Sequence, residues 1–140
     1  MNRSVAILLD LVLVVAFAVI GRASHGESLD YEGIQRTALP FVAGLLIAWI
    51  GFLLKRHTGI TVTNGVFAWA MTVAIGILFR LLLGSTAELG FIIVTALFLA
   101  ATLIGWRAIW WLVVRNRPQQ PKPKDPRRSG NPARRAAGQE

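Results

Sequence analysis

One hundred and forty residues carry fifteen Lys/Arg against seven Asp/Glu, a net charge of +8, with 54% hydrophobic residues and no cysteine. That length allows one domain, and the apolar share is more than a soluble chain of this size can bury. Without cysteine there are no disulfides, zinc thiolate sites or iron–sulfur clusters.

The first apolar run, Val5–Gly21, follows Arg3 and is interrupted by Asp10. A secretory signal peptide fits this end poorly. Asp10 breaks the apolar core, and Arg22 stands inside the small-residue site at 21–23. The run therefore reads as a retained helix, and "GRASHGE" at 21–27 as its exit from the membrane. The connector at 23–37 is the longest, and gathers His25, Glu27, Asp30 and Glu32. One His and scattered acids do not converge as a metal site requires.

The second run is Ala38–Leu54, with Pro40 expected in its first turn, where a missing N–H does no harm. A basic connector, 55–64, leads to the third run, Gly65–Leu83, which "TNG" at 63–65 is expected to cap. "GST" at 84–86 breaks it from the fourth run, Gly90–Val114, and Glu88 lies near the positive N-terminal end of that helix. The 84–89 link is short enough to make helices three and four an antiparallel pair.

Each run reaches or nears the roughly 17–20 residues that a membrane helix needs. In lipid an open sheet would leave backbone groups unpaired, so helices are the only economical reading. The fold class is thus an all-α membrane protein with four transmembrane helices over residues 1–114. The remainder, 115–140, holds eight Lys/Arg and two acids among Pro, Gln and Ala. It cannot bury enough to offset ordering and reads as a disordered basic tail.

Basic residues set the orientation. With the N-terminus inside, the inner side carries Arg3, Lys55, Arg56 and the eight of the tail, whereas the outer loops carry Arg22 and Arg36. The reading is N-in, C-in at the cell membrane, with the tail drawn to anionic lipid at the inner face. All five Trp then fall in inner halves of helices, as an aromatic belt would. Without aromatic interleaving the tail is not expected to bind nucleic acid specifically.

Three ionisable residues lie within spans: Asp10, Arg80 and Arg107. At ~1.5 Å per residue, Asp10 sits ~8 Å and Arg107 ~12 Å above the inner end, within side-chain reach of each other. They form a candidate buried ion pair joining helices one and four. It is either a lock on helix register or a relay. Arg80 belongs to the outer half and is expected to reach outward to Glu88 or the acids of the first loop. Together with Arg22, His25 and Glu27 it outlines an outer-face polar or anion site. Ala68, Thr72, Gly76 and Arg80 form a packing stripe on helix three. Ala96, Ala100, Leu103 and Arg107 form one on helix four, and Gly44, Ala48 and Gly51 one on helix two; small residues let helices approach closely.

Four segments carry a resemblance: "DLVLVVAFAVIGRASHGE" at 10–27, "TALPF" at 37–41, "GVFAWAMTVAIGILFR" at 65–80 and "STAELGFIIVTALFLAATLIGWRA" at 85–108. Together they resemble a family of small bacterial and archaeal membrane proteins, the domain of unknown function DUF3054. The resemblance spans about residues 1–112. It implies a four-helix integral membrane protein and no established activity, and it singles out Asp10, Gly21, Arg22, His25, Arg80, Trp106 and Arg107.

No Ser–His–Asp arrangement, phosphate-binding Gly loop or metalloprotease motif is present. No catalytic residue, metal or cofactor is expected. The first functional reading is a non-enzymatic accessory or organising membrane component, as a homo-oligomer or with a membrane protein partner. The alternative is a small oligomeric transporter or channel using Asp10, Arg80 and Arg107. A membrane enzyme with His25 as base ranks behind both.

Overall fold

The structure is a computed structural model and describes residues 2–116. The tail reading, from residue 117 on, lies outside the described residues. Helix α1 spans Arg3–Ser24, α2 Tyr31–Leu54, α3 Val62–Leu82 and α4 Leu89–Leu99. A wide π turn, Ala100–Ile104, joins α4 to α5, Gly105–Arg115. Among the described residues four helical stretches are long and apolar enough to cross a membrane, the last running unbroken over Leu89–Arg115. No strand occurs among the described residues.

The helices form an up–down–up–down bundle. Each packs on its sequence neighbours, and the fourth stretch closes back on α1. One end of the bundle holds Arg3, the 55–61 connector and Arg115; it is called here the terminal end. The opposite end holds the connectors at 25–30 and 83–88. Large apolar side chains such as Leu8, Val12, Ile50, Leu78, Ile93 and Leu97 face outward around the bundle. That is how a membrane protein is dressed, because lipid is as apolar as the core.

α2 begins at Tyr31, about two turns before the Ala38 start read from the apolar run. Asp30 caps it: its carboxylate accepts from Gly33 N at 3.3 Å and from the Ser28 hydroxyl. This cap nucleates a polar leading segment that hydropathy alone treats as loop. Pro40 therefore lies inside the helix and not in its first turn. There its ring removes the bond to the Arg36 carbonyl. The first connector shortens to 25–30, because α1 runs on to Ser24 and α2 starts early. α3 is capped by Thr61, whose hydroxyl accepts from Asn64 N at 3.2 Å, so the cap falls ahead of "TNG".

α2 and α3 pack backbone against backbone at Gly44. A Cβ there would stand 3.0 Å from the Met71 carbonyl and the Thr72 Cα. Further along, an aromatic column fills the middle of the bundle. Phe17 meets Phe41 edge-on at 5.2 Å and Phe98 at 5.7 Å.

The buried stripe of the fourth stretch is Thr95, Leu99, Leu103 and Arg107, not Ala96 and Ala100. A straight α-helix would swing Arg107 by about 120° from the direction of Thr95. The π turn closes i to i+5 and winds less, taking back part of that swing. The Thr102 hydroxyl supports the turn by donating to the Phe98 carbonyl at 2.9 Å.

Candidate functional site

Polar chemistry collects at two places. The first is near the terminal end. Asp10 and Arg107 are both fully buried and joined by two parallel hydrogen bonds, Nη1 to Oδ1 at 2.8 Å and Nη2 to Oδ2 at 2.6 Å. Such a fork is the strongest geometry available to a carboxylate and a guanidinium. Two indoles complete the carboxylate's shell: Trp49 Nε1 donates to Oδ2 at 3.0 Å and Trp106 Nε1 to Oδ1 at 2.9 Å. An ionised carboxylate offers about four acceptor positions. Asp10 accepts four hydrogen bonds and is saturated.

Arg107 uses four of its five N–H donors. Its Nε donates to the Gly59 carbonyl at 2.9 Å and its Nη1 also to the Leu103 carbonyl at 2.7 Å. The guanidinium lies 4.3 Å from the Trp106 ring centroid. The Gly59 carbonyl is available because the 55–61 connector turns inward, burying Gly59 and packing Ile60 on the core. Gly59 has φ +74°, and a Cβ there would collide with the Trp49 ring. α1, α2 and α5 thus meet at one carboxylate, and the second connector joins them through the Arg107 guanidinium, a clasp across the bundle.

The indole roles differ from the belt expectation. Trp49 and Trp106 point inward as donors to Asp10, and Trp69 Nε1 donates to the Ala96 carbonyl at 2.8 Å, tying α3 to α4. An apolar run with an acid in it and Trp at matching depth is the signal for such donors. Interfacial Trp give the same pattern, which is why the sequence reads as a belt.

The second place is a cleft of about 320 Å³ at the opposite end. Arg22, His25, Glu27, Arg80 and Glu88 all line it, so the structure brings the five outer-face residues together. Arg22 is already neutralised. It pairs with Glu27 at 2.8 Å and approaches Asp30 at 3.8 Å, and it donates from Nε and Nη2 to the Ser28 carbonyl at 2.9 and 2.7 Å. The Ser28 hydroxyl and the Gly33 amide hold the Asp30 carboxyl below its ordinary value.

Arg80 differs from expectation. It reaches neither Glu88 nor the acids of the first loop within 4 Å. Its Nε donates to the Thr86 carbonyl at 2.8 Å, and its guanidinium lies 4.4 Å from the Phe91 ring centroid. The turn made by Gly84, with φ +78°, carries the chain back so that Thr86 meets Arg80. Deeper, the cleft is lined by Phe17, Val94 and Thr95. Thr95 is fully buried, and its hydroxyl has no hydrogen-bond partner. His25 and Glu88 are exposed at the mouth.

The fold and these two places define an all-α protein whose described residues hold four membrane-crossing helices, a closed polar node near one end and, at the other, the cleft lined by Arg22 and Arg80. The chain belongs to the family described as a protein of unknown function, DUF3054, whose model matches residues 7–110. The match takes in Asp10, Arg107 and every residue named in the cleft. No curated protein and no solved structure compared with the chain matches it.

Proposed function

We propose that this protein is a non-enzymatic organising or accessory component of a membrane, in which Asp10 and Arg107 serve as a structural clasp. The observation that carries the reading is the saturation of Asp10 by four N–H donors in a fully buried setting. A relay needs a carboxylate that can take a proton and pass it on. Protonating Asp10 would cost it the Arg107 fork and leave a guanidinium uncompensated in the core. The alternative, a small oligomeric transporter using Asp10, Arg80 and Arg107, requires that clasp to open in every cycle.

In this reading both termini are cytoplasmic. The terminal end, with Arg3, Lys55, Arg56 and Arg115, faces anionic lipid, and the cleft faces outward. The outward apolar side chains leave room for a second copy or a membrane protein partner.

Proton flux in proteoliposomes tests the reading. The organising role predicts no protein-dependent decay of an imposed pH gradient, for the wild type and for an Asp10→Leu/Arg107→Met double replacement alike. Flux in the wild type that is abolished in Asp10→Asn, with folding retained, would replace it with the transporter.

A further inference from the structure

We propose that the cleft at the end opposite the termini binds an anionic amphiphile, its oxyanion headgroup on Arg80 and its apolar chain along Phe17, Phe91 and Val94. The inference goes beyond the organising role and stands on residues that the clasp does not use.

Arg80 is the first observation. A guanidinium has five N–H donors, and only the one on Nε is taken, by the Thr86 carbonyl. Among the described residues no carboxylate lies within 4 Å of it, whereas its neighbour in the cleft, Arg22, holds Glu27 at 2.8 Å. Arg22 has its counter-charge, and Arg80 has donors to spare. Its stacking on Phe91 fixes the plane of the fork, which suits bidentate recognition of a phosphate or carboxylate.

Thr95 is the second, independent observation. It lines the cleft, is fully buried and leaves its hydroxyl without a partner. A buried polar group without a hydrogen bond costs free energy, and a ligand's ester or acid oxygen would remove that cost.

The layout gives the ligand its shape. Arg80 is two residues from the end of α3 and Thr95 six residues inside α4, so the cleft runs from ~3 Å to ~9 Å below the helix ends. A charged group at the upper level sits at headgroup depth, and an apolar chain at the lower level sits among Phe17, Phe91 and Val94. A free anion would use only the upper level. The volume, about 320 Å³, is at the small end for ligand pockets and takes a headgroup with the first part of a chain. Glu27 and Glu88 also line the cleft; Glu27 is held by Arg22, and Glu88 stands exposed at the mouth.

The test is binding to the full chain in a neutral detergent, by calorimetry. Three probes separate the sources: dihexanoyl phosphatidic acid, dihexanoyl glycerol and inorganic phosphate. Phosphatidic acid is expected to bind at least about tenfold tighter than either of the others. Arg80→Gln should weaken it by about tenfold or more, with Arg80→Lys recovering part of the loss, and Thr95→Val should weaken it several-fold. The ligand-free melting temperature of Arg80→Gln should stay close to that of the wild type. If that variant does not fold, Val94→Trp fills the lower cleft and must abolish binding instead. Equal affinity for dihexanoyl glycerol removes the oxyanion from the proposal. Equal affinity for inorganic phosphate replaces the amphiphile with a free anion. Unchanged affinity in both Arg80→Gln and Val94→Trp places the ligand elsewhere and overturns the proposal.

Discussion

Arg107 and Arg80 lie toward opposite ends of one bundle, and the protein treats them oppositely. Arg107 is enclosed by a carboxylate, two carbonyls and an indole face, with no exposure. Arg80 has one carbonyl and one phenyl ring, on a cleft that opens at the bundle end. The difference teaches how to read charge in such a chain. An intramembrane charge paired with a buried carboxylate is committed to the fold, and one without a carboxylate within reach keeps donors to spare.

The contrast is broken most severely at the clasp. Asp10→Ala strands the Arg107 charge and Arg107→Ala strands the Asp10 charge, each at an expected cost of about 3–5 kcal/mol. Thermal melting in detergent should show both variants well below the wild type. Were either to melt with the wild type, the node would not be holding the bundle.

Smaller effects sharpen which part of the node matters. Trp106→Phe keeps the ring but removes one donor to a charged acceptor, an expected loss of about 1.5–3 kcal/mol. Gly59→Ala should cost about 1–3 kcal/mol, because it crowds Trp49 at a backbone angle that side chains resist. Chemical denaturation in mixed micelles measures both. At the opposite end Glu27→Gln should cost only about 1 kcal/mol or less, since half of the Glu27 side chain is exposed and water screens the pair.

The smallest effect is the α2 cap. Asp30 titrates below its ordinary value, so its stabilisation is complete above that value and fades as pH falls through the folded one. The melting difference between wild type and Asp30→Asn should therefore narrow on acidification and stay constant between neutral pH and pH 5. A difference that widens in acid would reverse the sign of the linkage.

The sequence made four helices legible because apolar runs of that length have no other economical fold. It also brought Asp10 and Arg107 to one depth, since helical rise converts residue number into height. What stayed hidden depended on direction and not on height. Hydropathy does not say whether Trp49 turns its N–H inward to Asp10 or outward to an interface. It could not show that the π turn brings Thr95 and Leu99 into the buried stripe in place of Ala96 and Ala100. The early start of α2 was hidden because Asp30 and Ser28 look like loop residues until the cap they form is seen. Its position near the outer acids predicts that Arg80 reaches for a carboxylate, but the Gly84 turn delivers the Thr86 carbonyl first.

Paired double-mutant cycles measure the contrast itself. One cycle uses Asp10→Ala and Arg107→Ala, and the other Glu27→Ala and Arg22→Ala, each followed by unfolding in the same detergent. The account predicts a coupling of at least about 2 kcal/mol for the buried pair and below about 1 kcal/mol for the exposed one. A coupling indistinguishable from zero at Asp10 and Arg107, or equal couplings at the two ends, would contradict it.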